Sequence, residues 1–163
     1  MSAITILKQA DIFYELTNTQ LELVASICNE KDYQSSEVIF EENTPGNHLY
    51  IIANGEVAIQ VNPALLGKDE KSGAFTIATL RRGQSFGEVS LVDEGLRSAS
   101  ARCAADNTHL ILVPRDKLML LCDTYPQLGY RLMRNLAADL AMKMRHTDLQ
   151  VREQLTWSPA DKS

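Results

Sequence analysis

The stretch FGEVSLVDEGLRSAS, residues 86–100, sets one carboxylate and one guanidinium around a glycine turn. Gly87 lets the backbone come close to a bound group. Glu88 offers a carboxylate that accepts hydrogen bonds from hydroxyls, and Arg97 offers a flat, permanently charged fork matched to a phosphate. A sugar phosphate satisfies all three. The bland alternative is a solvated Glu88 and an Arg97 in a surface ion pair with Asp93 or Glu94, which stabilises by only about 0 to 1 kcal/mol. That alternative leaves to chance the conjunction of glycine, glutamate, arginine and the small residues Ser98, Ala99 and Ser100.

Outward from this stretch, residues 33–115 carry short β-type runs between turn residues: EVIF, HLYIIANGEVAIQV, FTIATL, SASARC and HLILV. They predict an all-β body of many short strands. Within PGNHLYIIANGEVAI, residues 45–59, Gly46 and Gly55 read as serving tight turns in a rolled sheet, and Asn47 keeps turn chemistry. PALLGKDEKSG, residues 63–73, reads as an extended hairpin loop rather than a domain linker. The chain up to about Glu30 is helical in pattern. Thr17 followed by Gln20 resembles a capping box, and Leu21, Val24, Ala25 and Cys28 repeat at helical spacing.

Beyond Pro114 the period returns to that of a helix, with Leu118, Met119, Leu121 and Cys122 in a short segment. Tyr125 and Pro126 then break it and open a long helix to about Leu155, with Gly129 as its one weak spot, about 45 Å in length. Met133, Leu136, Leu140, Met144, Thr147, Val151 and Leu155 step along it by threes and fours, an eleven-residue spacing that makes a nearly straight stripe rather than a heptad seam. The first half of the stripe should pack on the chain's own β body. From Met144 onward a symmetric partner helix is expected.

Residues 86–100, with the upstream glycine and strand pattern, resemble the phosphate-binding cassette of cyclic nucleotide-binding domains. That family includes bacterial catabolite activator proteins, kinase regulatory subunits and cyclic nucleotide-gated channels. Phe86, Gly87, Glu88, Val89, Ser90 and Leu91 fill the first half of its pattern; Arg97, Ser98, Ala99 and Ser100 fill the second. Leu96 stands where many members carry proline, and Asn47 where many carry aspartate. The resemblance implies a mainly β fold with flanking helices: an antiparallel, jelly-roll-like β-roll of about eight strands with N-terminal helices and a long C-terminal helix. It assigns Glu88 to a ribose 2′-hydroxyl, and Arg97 and the backbone amides near Ser90 and Ser98 to the phosphate. A helical turn over Val89 to Val92 would aim amides at the anion. Ser98 permits adenine or guanine, so cAMP is the expected ligand, by the likeness to bacterial proteins, and cGMP the second. Catabolite activators contact adenine through hydroxyls near the positions of Lys143 and Met144, and neither side chain repeats that contact.

Composition narrows the alternatives. The chain has 163 residues, 45% of them hydrophobic, and a formal charge of -5, with no dense basic run, so direct contact with nucleic acid is not expected. The N-terminus breaks its apolar run with Lys8 and Asp11, and no run reaches the ~18 apolar residues of a membrane span, so a cytoplasmic protein is expected. Cys28, Cys103 and Cys122 read as buried free thiols. His48, His109 and His146 are isolated surface residues in this reading, and a metal-dependent β-roll enzyme would want a His-x-His pair with a carboxylate.

The expectation is one domain over residues 1–163: helices to 30, β-roll from 31 to 115, hinge and long helix from 116 to 156, and a tail. It is a sensor without catalysis, metal or cofactor beyond its nucleotide, a homodimer through the last helix, acting on an unidentified downstream protein. TWSPADKS leaves no room for a helix-turn-helix, so the alternatives are the sensor piece of a transcription regulator or a degenerate domain kept as a dimerisation scaffold.

Overall fold

A computed structural model describes residues 2–63, 73–93 and 95–156. Its elements run α1 (Ala3–Gln9), a 3-10 turn (Asp11–Phe13), α2 (Asn18–Ile27), β1 (Asn29–Tyr33), β2 (Val38–Phe40), β3 (His48–Asn54), β4 (Glu56–Val61), β5 (Phe75–Arg81), β6 (Ser85–Phe86), α3 (Val89–Val92), β7 (Ser100–Cys103), β8 (Thr108–Pro114), α4 (Arg115–Thr124) and α5 (Pro126–Thr156). Most of the hairpin loop expected at 63–73 and the tail after 156 lie outside the described residues.

The capping box at α2 forms as its sequence dictates: the Thr17 hydroxyl accepts from the Gln20 amide and the Gln20 side chain accepts from the Thr17 amide. The strands build two antiparallel four-stranded sheets, ordered β1-β8-β3-β6 and β2-β7-β4-β5, the β-roll expected from the sequence. Two strands escape the sequence reading. β1, NEKDY, has no apolar alternation and is held by its ladder to β8, with Asn29 opposite Leu112 and Tyr33 opposite Thr108. β6 has only two residues, paired to Tyr50 and Ile51.

β3 reads LYIIA without alternation because both of its faces are covered. Leu49, Ile51 and Ala53 enter a cluster with Leu7, Phe13, Val24, Leu118, Leu128 and Leu132 of the helical layer, whereas Tyr50 and Ile52 face the space between the sheets with Val57, Phe86, Ala101 and Leu110. β8 divides likewise, Ile111 and Val113 to the helices and Leu110 to the inter-sheet core. Each such side chain contributes about 1.5–3 kcal/mol when fully buried.

Pro126 opens α5, and Leu128, Leu132 and Leu136 bury against the helical layer, with Met133 and Leu140 half-buried beside them. Asn135 pins the helix to the N-terminal region by donating to the carbonyls of Ile12 (3.0 Å) and Tyr14 (2.7 Å), and Arg131 pairs with Glu15 at 3.1 Å. Among the described side chains Leu140 is the last of the stripe to pack on the core, and Met144 is 67% exposed. The side chains of Thr147 and Val151, later members of the stripe, lie outside the described residues. Among described residues no helix is long and apolar enough to cross a membrane.

Candidate functional site

The site is assembled where the β6–α3 turn meets the strand entering β7. Gly87 has φ +79, a conformation that favours glycine, and this turn sends the chain from the inter-sheet core into α3. Arg97 is fixed by backbone as well as side chain: its amide donates to the Thr44 carbonyl and its carbonyl accepts from the Asn43 amide, both at 2.8 Å. Leu96 pairs with Pro45 in an isolated bridge, so the loop is tied down without a proline at 96.

The Arg97 side chain turns inward and is 7% exposed. Nη1 donates to the Ser90 hydroxyl (2.8 Å) and the Gly87 carbonyl (3.2 Å), and Nη2 donates to the His48 carbonyl (2.9 Å). The guanidinium lies 4.2 Å from the Phe40 ring centroid and 5.8 Å from that of Tyr50. Burial lowers its pKa, against the pull of Tyr50 and Glu88. Nε is buried with no hydrogen-bond partner among the described residues, and Nη2 carries a second hydrogen. Those two donors are the ones a tetrahedral oxyanion takes from the side of a guanidinium.

Glu88, just before α3, is 6% exposed. Its Oε1 accepts from the Lys143 ammonium of α5, while Oε2 is buried and without a partner among the described residues. Lys143 also meets Asp139, one turn earlier, at 3.0 Å. Burial depresses the Lys143 pKa, but Glu88 and Asp139 together outweigh it and hold the group above the usual lysine value. An unpaired buried donor edge and an unpaired buried acceptor thus lie close together, of the chemistry that takes an anion with one group and a hydroxyl with the other.

Two glycines admit this packing. A Cβ on Gly87 would come 2.7 Å from Arg97 Nη1. A Cβ on Gly46 would collide with the Ser90 hydroxyl and lie 2.5 Å from Arg97 Nε. Gly46 is not in the left-handed region, so close approach to Arg97, and not turn geometry, explains it; Gly55, at φ +99, is the turn residue.

Of the predicted residues, Gly87, Glu88, Ser90 and Arg97 come together. Phe86 instead stacks on Tyr50 in the inter-sheet core at 4.9 Å, and Leu91 buries among the helices. Val89 is half exposed, Ser98 is exposed and Ala99 half-buried. The Ser100 hydroxyl accepts from the Glu42 amide at 2.8 Å, and the Ser90 amide is engaged by the Gly87 carbonyl inside the turn. Sequence reasoning read Gly46 as a turn residue and His48 as isolated, and missed the contacts that both make with Arg97 and that Lys143 makes with Glu88; only the position of Lys143 along the last helix hinted at a role. The solvated reading of Glu88 and Arg97 fails, since both are buried and Asp93 accepts from the Gly95 amide.

His109 is not isolated. It bridges Asp32 (Nδ1, 2.6 Å) and Glu30 (Nε2, 2.9 Å) on β1, and hydrogen bonds to Glu30 and then Asp32 raise its pKa. No group of three His, Cys, Asp or Glu among the described residues is arranged to hold a metal. Two surface clefts, about 390 Å³ beside Thr17 and Tyr130 and about 310 Å³ beside Gln60 and Arg102, include neither Glu88 nor Arg97.

Comparison with known proteins identifies the family and the fold. Residues 30–125 match the model of the cyclic nucleotide-binding domain. The cyclic AMP receptor protein of Thermus thermophilus is 34% identical over 145 residues, covering 89% of this chain and 62% of the receptor. A cGMP-dependent protein kinase of Drosophila melanogaster is 26% identical over 126 residues, covering 77% of this chain and 13% of the kinase. The crystal structure of Thermus thermophilus catabolite activator protein superposes with a TM-score of 0.74 at 32% identity, covering 89% of this chain and 63% of that one. The chain therefore spans somewhat less than two thirds of the bacterial receptor it matches.

Proposed function

Since the chain belongs to the cyclic nucleotide-binding domain family, we propose that its cassette binds a cyclic mononucleotide, cAMP in preference to cGMP, and reports it by moving α5. The observation that carries the reading is the buried pair itself: Arg97 with an uncommitted Nε–H and Glu88 with an uncommitted oxygen. In this reading Arg97 takes the exocyclic phosphate oxygens, Glu88 takes the ribose 2′-hydroxyl, and Gly87 gives the ligand room. Hydrogen bonds to charged groups contribute about 1.5–3 kcal/mol each, more than the exposed Ser98 supplies. The preference for cAMP rests on the likeness to a cyclic AMP receptor.

The signal starts at α3. Ser90 holds Arg97, and its neighbour Leu91 is buried in the cluster that includes Leu118 of α4 and Leu128 of α5. Ligand phosphate pulling on the Ser90 side draws Leu91 away from those helices and re-seats α5, whose Lys143 already reaches Glu88, over the site. Ligand then shifts a pre-existing equilibrium by its preference for the closed form. The exposed Met144 and Leu155 support pairing of α5 with a second copy. Control of transcription, or of another protein, is the output this regulatory domain would serve, without catalysis of its own.

Calorimetric titration with cAMP, cGMP and cyclic dinucleotides tests the proposal. Saturable binding of a cyclic mononucleotide is expected. Failure of every one to bind overturns it in favour of a scaffold that keeps the fold alone.

A further inference from the structure

We propose that Lys143 of α5 is a positioning residue that aims Glu88 at the ligand, and so couples the lid helix to the ribose-recognising carboxylate. The proposal rests on the ligand reading above. Lys143 takes Glu88 Oε1 and leaves Oε2 without a partner among the described residues. A carboxylate held by one oxygen keeps its orientation and still accepts a hydroxyl with the other. Asp139 anchors the ammonium from one turn back, at 3.0 Å, so Lys143 is fixed between a residue of its own helix and the cassette. The two carboxylates are enclosed, Asp139 at 13% and Glu88 at 7% side-chain exposure, and Lys143 reaches them from the rim with 43% of its side chain exposed.

The same contact is the point at which the far half of α5 meets the cassette. Among the described side chains Leu140 is the last member of the apolar stripe packed on the core, and Met144 is already in solvent. Lys143 therefore fastens the helix just beyond that packing, and does so on the residue that reads the sugar.

The consequence is specific. If Lys143 acts through Glu88, its removal costs affinity only for a ligand that uses Glu88. The test compares unsubstituted protein, Lys143→Met and Lys143→Arg, titrating each with cAMP and with 2′-deoxy-cAMP, which lacks the hydroxyl Glu88 would accept. Unsubstituted protein should favour cAMP by about tenfold or more, the worth of one hydrogen bond to a charged group. Lys143→Met should lose most of that preference by weakening cAMP alone, and Lys143→Arg should retain part of it. Amide exchange along 140–149 should also quicken in Lys143→Met without ligand. Equal weakening of both nucleotides, or tighter binding of cAMP, overturns the positioning role while leaving the ligand reading intact. Failure of the unsubstituted protein to bind either nucleotide overturns both.

Discussion

Gly46→Ala separates the claim that Arg97 is held in a tight cradle from the claim that the loop needs a glycine conformation. Gly46 lies outside the left-handed region, so its backbone accepts alanine. The added Cβ nevertheless lands on the Ser90 hydroxyl and within 2.5 Å of Arg97 Nε and 2.6 Å of its Cζ. Comfortable contacts with carbon need about 3.5 Å, so the guanidinium must retreat by about 1 Å. That displacement breaks the 2.8 Å bond from Nη1 to Ser90 and turns Nε away from its present direction. One charge-assisted hydrogen bond is worth about 1.5–3 kcal/mol, so affinity for a cyclic nucleotide should fall roughly tenfold to a hundredfold.

Stability should move less. Overpacking costs about 1–3 kcal/mol, and replacing glycine by alanine at a compatible φ returns about 0.4–1 kcal/mol through the unfolded state. Calorimetric titration gives the first quantity and chemical denaturation the second. Affinity within threefold of the unsubstituted protein, with unchanged stability, would refute the cradle and the place of Arg97 in binding.

Arg97→Lys should weaken binding well beyond what a preserved charge implies, at least tenfold in titration, because an ammonium cannot serve Ser90, Gly87, His48 and a phosphate from one plane. Gly129→Ala sets helix propensity against packing. Alanine gains about 1 kcal/mol in a helix, but its Cβ would sit 2.8 Å from the Cys122 carbonyl oxygen and 3.1 Å from its Cα, backbone that moves only with α4, so thermal stability should fall rather than rise. The His109 bridge should stabilise β1 below the unfolded histidine pKa of about 6.5, and that stabilisation should be lost as pH rises through the raised pKa of the folded state. Glu30 and Asp32 are half or more exposed, which limits the effect to about 1 kcal/mol; the stability difference between unsubstituted protein and His109→Gln should shrink from pH 6 to pH 9, and a constant difference would count against the bridge.

The carboxylate and guanidinium were legible because their residue types and spacing are chemically unusual, and the strands around them because apolar runs alternate with turn residues. Burial was not legible. Glu88 and Arg97 look the same in sequence whether solvated or enclosed, and what encloses them comes from Phe40, Tyr50 and α5, each distant in the chain. β1 was missed for a related reason: NEKDY has the composition of a loop, and only the ladder to β8 makes it a strand. Gly46 was misread as a turn because a glycine required for close approach and one required for positive φ are indistinguishable until the neighbours are known. Lys143 stood out in the sequence only by its position along the last helix; its contact with Glu88 depends on how Leu128, Leu132 and Leu136 seat α5, a property of packing rather than of local pattern.

α3 and the residue before it meet the helices twice, through contacts of different physical character. Leu91 meets the helical layer by apolar burial, which is non-directional and not screened by salt, and Glu88 meets Lys143 by a charged hydrogen bond, which is directional and depends on the lysine remaining protonated. Three residues apart in sequence, they leave α3 little freedom to move without disturbing both. Displacing α3 would therefore disturb the apolar cluster that Leu91 shares with Leu118 and Leu128, and an ionic contact at Lys143, about four turns beyond Leu128 along α5.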